Sequence, residues 1–213
     1  MNSLVKRIGR AKLRPLILER GRGHRKEIAL TFDDGPHPEF TAAVLDVLKQ
    51  HNAVATFFLV GNNAKRFPEL VQRMLSDGHE IANHSMTHAE FARIPSSEIE
   101  REVTQMDAVL TQLGAPAGKI WFRPPKGVLN VRTLLYSAQR RRRYVLWSID
   151  PKDFQASRPE EIVAAFKAAG PKGGDIVLLH DKSRPTVEAL ARLLEAIRSL
   201  SLTPVTVTQL AAK

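Results

Sequence analysis

The chain has 213 residues, 43% hydrophobic and 25% charged, with no cysteine and a formal charge of +10. That length and balance suit one globular domain with a real core, and the lack of cysteine excludes disulfides and thiolate metal sites. The charge is concentrated: residues 1–26 hold nine lysines and arginines against Glu19 alone, a net +8, leaving +2 for the rest. Nucleic-acid binding, which needs basic residues across a domain face with interleaved aromatics, is not expected of the domain.

Residues 1–26 read as a basic N-terminal extension and 27–213 as the domain. Charges interrupt every apolar run of the extension before the roughly seven residues of a secretory core. No stretch approaches the ~20 apolar residues of a spanning helix. The expectation is a cytoplasmic or peripheral-membrane protein, unless a leader is missing. Leu4, Val5, Ile8, Leu13, Leu16 and Ile17 fit one side of a basic amphipathic segment that rests on an anionic membrane or polymer. A solvated arm packed loosely on the domain is the alternative.

From Glu27 onward, short apolar runs alternate with helical patterns. The run "EIALTF" predicts a buried strand, followed by a helix over 40–50. "VATFFLV" is a second strand, and 64–77 a second helix. A brief strand over 80–82 precedes a helix towards Leu113, opened by a capping box of Ser97 and Glu100. "KIWF", a helix from Val131 and the strand "YVLWS" come next. A helix over 160–169 has Pro159 in its first turn; the strand "DIVLL", a helix over 185–199 and the strand "TPVTV" close the pattern. Such alternation implies parallel strands with crossover helices. Seven units suit a barrel, with a doubly wound open sheet as the alternative. In either, chemistry gathers at the carboxyl ends of strands.

Those ends are polar. The first runs into "LTFDDGPHP", where Asp33 and Asp34 repel and raise each other's pKa unless a positive partner intervenes; Asp-Gly-Pro is also ordinary turn chemistry. The third runs into "NHSMTH", whose His84 and His88 would face the same way on a helical turn. With one carboxylate they make a three-ligand set with positions open to water, as in catalytic zinc sites; a hydrogen-bonded loop is the alternative. The fourth ends at "FRPPKG", where prolines hold the chain extended and Arg123 can neutralise a carboxylate. The fifth gives Asp150 and Asp153. The sixth gives His180 and Asp181, a candidate general acid or base beside a carboxylate that raises its pKa. His37 and His79 read as structural, and the arginines 140–143 as cations suited to a helix terminus.

In this order, "TFDDG", "HSMTH", "RPPKG", "DPKDF" and "LLH" resemble the motifs of the polysaccharide deacetylases of carbohydrate esterase family 4, the NodB-homology domain, over about 27–210. The resemblance implies a single α/β domain, a distorted (β/α)7 barrel. It implies metal-dependent removal of acetyl groups, N-acetyl or also O-acetyl, from a polysaccharide or oligosaccharide. Asp34, His84 and His88 would ligate one divalent ion, zinc for preference, with cobalt, manganese or iron also suited to the set. Asp33 would be the base, paired with Arg123, and His180 the acid, oriented by Asp153. The backbone N–H of Lys126 would face the oxyanion, with Pro125, Phe154 and Leu178 as substrate contacts and Leu178 lining the acetyl pocket. Two positions depart: Lys126 stands where the family usually has tyrosine or phenylalanine, and Phe154 where it usually has tryptophan. Lys126 suits an anionic sugar or a phosphorylated carrier, or simply faces solvent. The alternative from another class is a catalytically weak member that binds an anionic polymer or membrane through residues 1–26. The oligomeric state is left open.

Overall fold

The computed structural model describes residues 16–21, 26–116, 120–140 and 142–212. Its strands are β1 (Ile17–Leu18), β2 (Glu27–Asp33), β3 (Thr56–Leu59), β4 (Glu80–Asn83), β5 (Tyr144–Val145), β6 (Ile176–His180) and β7 (Thr203–Pro204). The helices are α1 (Phe40–Gln50), α2 (Gly61–Arg66), α3 (Pro68–Ser76), α4 (Ser96–Gln112), α5 (Val131–Arg140), α6 (Pro159–Ala168), α7 (Arg184–Ser199) and α8 (Val207–Ala211). Short 3-10 turns lie at Pro125–Gly127 and Asp153–Gln155.

β2 is the central stave, paired in parallel with β3 on one edge and β6 on the other. β3 in turn pairs with β4. Single bridges complete the circuit, from Asn83 to Phe122, from Phe122 to Tyr144, and from Ile149 to Val177. Their hydrogen bonds are ordinary, with Arg123 N–H donating to the Asn83 carbonyl at 3.0 Å and Leu178 N–H to that of Ile149 at 2.9 Å. The strands therefore close into a distorted barrel, and the open-sheet alternative falls. β7 supplies the seventh unit by pairing only with Glu27 and Ile28 at the start of β2.

Alternation along β2 divides its side chains between two environments. Ile28, Leu30 and Phe32 join the layer between strands and helices, with Leu45 and Leu48 of α1 and Leu190 and Leu193 of α7. Ala29 points the other way and packs with Phe58, Ala82, Val145 and Ile176, closed off by Val207 and Leu210 of α8. Thr31 and Asp33 continue this inward row. A strand buried on both faces reads as a continuous apolar run, so "EIALTF" was legible.

Several boundaries differ from the expectation. The helix over 64–77 is two, because Pro68 opens α3 after Phe67 breaks from helical geometry. α4 begins at Ser96 with Pro95 as its N-cap and no side-chain cap, so the Ser97–Glu100 box does not form. A capping box does form at Thr206 and Gln209, opening the unanticipated α8. "KIWF" and "TPVTV" shrink to a bridge and a two-residue strand, because the distorted barrel asks only that they span gaps. β1, within the basic segment, pairs in parallel with β5, and Arg20 bonds Asp175 at 2.6 Å. The rest of that segment, residues 1–15 and 22–25, lies outside the described residues.

Phe32 and Phe57 stack at 5.1 Å on neighbouring strands, both fully buried. Phe57→Ala should cost about 3–5 kcal/mol in denaturant unfolding; a loss under about 1 kcal/mol would contradict this packing.

Candidate active site

Asp33 ends β2 with its carboxylate inside the barrel, while Asp34 leaves the strand at a positive φ of 77°. In an extended strand the two would point to opposite faces; the left-handed turn at Asp34 brings both to one mouth. Gly35 follows because a Cβ there would lie 2.2 Å from the Asp181 carboxylate. The Asn63 amide donates to the Asp34 carbonyl at 2.8 Å and secures the turn.

Arg123 is wholly buried and meets Asp33. Its Nη1 donates to Asp33 Oδ1 at 2.5 Å and to Thr31 Oγ1 at 2.9 Å. Nε and Nη2 donate to the carbonyls of Val145 and Leu146 at 3.1 and 3.2 Å. The guanidinium also lies 4.0 Å from the Phe58 ring centroid. Burial pulls its pKa below the usual value, opposed by the charge of Asp33; an arginine with these acceptors remains a cation.

Asp34 faces the histidines. Its Oδ1 lies 3.2 Å from His88 Nε2 and 3.5 Å from His84 Nε2, while Lys182 Nζ bonds Oδ2. Burial raises the Asp34 pKa, but the two imidazoles and Lys182 outweigh it and hold the carboxyl far below the usual range. His84 Nδ1 sits 2.8 Å from the Arg123 carbonyl. A proton on Nδ1 serves that bond and leaves the Nε2 lone pair towards Asp34, the orientation a ligating imidazole requires. The stretch 84–88 is a loop rather than a helical turn. Positive φ at Ser85 and His88, with the His88 N–H on Ser85 Oγ at 3.0 Å, turns both rings the same way. Glu102 of α4 clamps the loop by accepting from the N–H and hydroxyl of Thr87, each at 2.8 Å.

Among the described residues, donor atoms of Asp34, His84 and His88 all lie within 4.8 Å of one another, and the buried Asp34 Oδ1 has no hydrogen-bond partner. One anionic oxygen left unpaired between two imidazole nitrogens fits a divalent cation with coordination positions to spare.

Across the mouth, register sets His180 beside Asp33. His180 Nδ1 lies 2.8 Å from Asp153 Oδ1. Asp153 Oδ2 accepts from His180 N–H at 2.7 Å and from Thr186 Oγ1 at 2.9 Å. Burial lowers the His180 pKa, but Asp153, then the charges of Asp33 and Asp34, outweigh it and raise it. Phe154, half exposed, presents an edge to the His180 ring at 5.6 Å. Leu178 is buried in register with Thr31. Pro125 is buried in the turn where Lys126 takes a φ of 57°, and Lys126 Nζ pairs with Glu90. The lysine charge is thus matched by an acid from the loop after His88.

The remaining polar residues stand apart. Asp150 closes a local turn with Lys152, accepting its N–H at 3.0 Å. His37 Nδ1 accepts from the Glu39 and Phe40 N–H groups at the start of α1. His79 accepts from Ala55 N–H, and burial pushes its pKa to about 4, a neutral structural histidine. Arg140 ends α5 on Glu100, and Arg142 pairs with Asp107. Sequence reasoning missed Lys182, Thr186, Glu90 and Glu102. Only Lys182, two residues beyond the "LLH" motif, carried a signal of position.

The polysaccharide deacetylase family model matches residues 20–145. This chain belongs to the polysaccharide deacetylase family. A chitooligosaccharide deacetylase of Sinorhizobium fredii is 38% identical over 183 residues, 80% of this chain and 85% of the relative. A peptidoglycan-N-acetylglucosamine deacetylase of Bacillus cereus is 37% identical over 192 residues, 88% of this chain and 89% of the relative. The crystal structure of the Bc1960 peptidoglycan N-acetylglucosamine deacetylase superimposes with a TM-score of 0.86 at 31% identity, covering 91% of this chain and 92% of that one. A Bacillus anthracis family 4 pseudoenzyme, BA3943, superimposes at 0.84 with 24% identity, over 93% of this chain and 69% of that one. The polysaccharide deacetylase fold thus also occurs in a pseudoenzyme, which makes the site's own residues decisive.

One buried group of this polysaccharide deacetylase titrates near neutrality. Asp181 is fully buried beneath Gly35, takes a hydrogen bond from Thr41, and is pushed up by burial from 3.8 to about 7. The folded chain therefore binds this proton more tightly than the unfolded chain, and stability falls as pH rises from about 4 towards about 7. Asp181→Asn removes the ionisation and keeps an acceptor for Thr41. In metal-free protein its melting temperature should exceed wild type most above about pH 7, with the gain shrinking towards about pH 4. A difference independent of pH would contradict this.

Proposed function

We propose that this polysaccharide deacetylase is metal-dependent and hydrolyses the N-acetyl group of N-acetylglucosamine units in an oligosaccharide or polysaccharide. The observation that carries the reading is the convergence at one barrel mouth of the Arg123–Asp33 pair, the Asp34–His84–His88 set and the Asp153–His180 pair. The relatives' action on chitooligosaccharide and peptidoglycan supports the substrate class.

Asp34, His84 and His88 would hold the cation, zinc for preference, which when bound supplies Lewis-acid polarisation of the acetyl oxygen and a water of lowered pKa. Asp33 receives the proton of the attacking water. Arg123 holds Oδ1 and fixes the carboxylate, leaving Oδ2 towards the mouth, 3.7 Å from His84 Nε2. The left-handed turn at Lys126 supports its backbone N–H as a donor to the oxyanion. As the C–N bond breaks, His180 gives a proton to the departing nitrogen, so that a neutral amine leaves with acetate. Its raised pKa keeps it protonated nearer neutrality, and Asp153 keeps the ring in register. Leu178, buried in register with Thr31, Pro125, buried before Lys126, and the half-exposed ring of Phe154 would supply the apolar contacts that the methyl group requires. A binding-only role, the alternative from sequence, gives no reason for the Asp153–His180 pair.

Chelator-stripped protein should release acetate from N-acetylated oligosaccharides only when Zn²⁺, Co²⁺ or Mn²⁺ is restored. Asp33→Asn and His180→Asn should each lower the rate by about 10²–10⁴ with metal still bound. The alkaline limb of the wild-type pH profile should lie above the ordinary histidine value of 6.5 and move down in Asp153→Asn. Release that survives the chelator, or Asp33→Asn at full rate, would contradict the assignment.

A further inference from the structure

The chemistry proposed above gives Lys182 no task, although its ammonium bonds Asp34 Oδ2 at the centre of the mouth. The fold builds its place from both sides. Parallel pairing sets Asp33 opposite His180 at the ends of β2 and β6, so the two segments leave the barrel side by side. They touch there, since a Cβ on Gly35 would meet the Asp181 carboxylate. Asp181 is fully buried and accepts from Thr41 of α1. On the other side, the Ser183 hydroxyl lies 3.0 Å from that of Thr186, which in turn donates to Asp153. Lys182 therefore projects from a turn anchored at both of its neighbours. Exposed ion pairs contribute little, but this one lies against a carboxylate only 16% exposed, where solvent screens less.

The pair divides the two oxygens of Asp34. Oδ1 stands 3.2 Å from His88 Nε2 and 3.5 Å from His84 Nε2 with no hydrogen-bond partner, while Oδ2 is held by Lys182. A carboxylate can offer a cation one oxygen or both, and the number offered changes which ion the set suits. Two imidazoles and one oxygen leave a single position to complete the tetrahedron that zinc prefers. Manganese favours six positions rich in oxygen, which a carboxylate giving both oxygens serves better. The ammonium also repels a cation at this place, but equally for two ions of the same charge, so repulsion alone does not select. A lysine that reads an anionic substrate needs its ammonium free, and this one is already taken by Asp34.

We propose that Lys182 is a positioning residue that holds back Asp34 Oδ2, so that the site offers a single carboxylate oxygen and discriminates zinc against manganese. Groups that bond a ligand from outside the coordinating set tune its orientation and affinity in this way. This role rests on the metal-dependent reading above and adds to it the residue that sets which ion Asp34, His84 and His88 accept. Ion binding alone tests it, with no need of a substrate.

Zn²⁺ and, separately, Mn²⁺ are titrated calorimetrically into the metal-stripped full chain, as wild type, Lys182→Met and Lys182→Arg. Wild type should bind zinc the more tightly. Lys182→Met frees Oδ2 and should narrow the ratio of the two affinities about tenfold, chiefly by tightening manganese. Lys182→Arg keeps a cationic donor and should restore the wild-type ratio. The ratio is the informative quantity, because a general loosening of the site weakens both ions together and leaves it unmoved. An unchanged ratio in Lys182→Met would overturn the proposal while leaving the metal-dependent reading intact, as would a Lys182→Arg ratio equal to that of Lys182→Met. Wild type that binds neither ion would overturn the metal-dependent reading itself, and this role with it.

Discussion

A guanidinium sealed inside a barrel is tolerable only when its donors find acceptors, and Arg123 arranges much of the interior to that end. It reaches Thr31 and Asp33 on β2 and the carbonyls of Val145 and Leu146 on and after β5. Its own carbonyl meets His84 Nδ1, and its N–H bonds Asn83. One residue therefore fixes a carboxylate, sets the tautomer of an imidazole and helps close the barrel. Buried pairs of this kind contribute little net stability, because desolvation offsets the attraction, yet losing one partner is costly. Keeping such a pair is better explained by the geometry it imposes on the mouth than by stability.

That geometry resolves the adjacency of Asp33 and Asp34. Both are negative and consecutive, yet they meet different cations in different directions. Asp33 stays in strand geometry and faces Arg123. Asp34 takes a positive φ, faces His84 and His88 with one oxygen and Lys182 with the other. Across the strand boundary, His180 is held by an aspartate that is itself satisfied by backbone and by Thr186. Buried polar groups that are fully partnered define one arrangement, and the unpartnered Asp34 Oδ1 marks where a further partner belongs.

Much of this was legible in the chain. Continuous apolar runs gave the parallel strands, and the polar residues that end them gave the site, because in this architecture strand ends converge. The family resemblance supplied the proposed roles; periodicity alone had not separated a barrel from an open sheet. What the sequence hid was conformation set by tertiary contact. The positive φ at Asp34, Ser85 and His88 carries no signature in non-glycine residues. Barrel closure through lone bridges at Phe122 and Ile149 leaves no strand-length pattern. Pro68 was read through as part of a helix, although a proline at a first helical position is a boundary mark. β1 was masked by the charges around two apolar residues, and Glu102, Glu90 and Thr186 act through contacts distant in sequence.

The division of labour between the adjacent aspartates is the centre of the account, and calorimetric titration of Zn²⁺ into metal-stripped protein tests it most directly. Asp33→Asn, which keeps an acceptor for Arg123, should bind zinc with stoichiometry and affinity close to wild type. Asp34→Asn, which loses the anionic ligand, should bind far more weakly. The reverse order, or equal loss in both variants, would show that the carboxylates share the cation and would contradict the account.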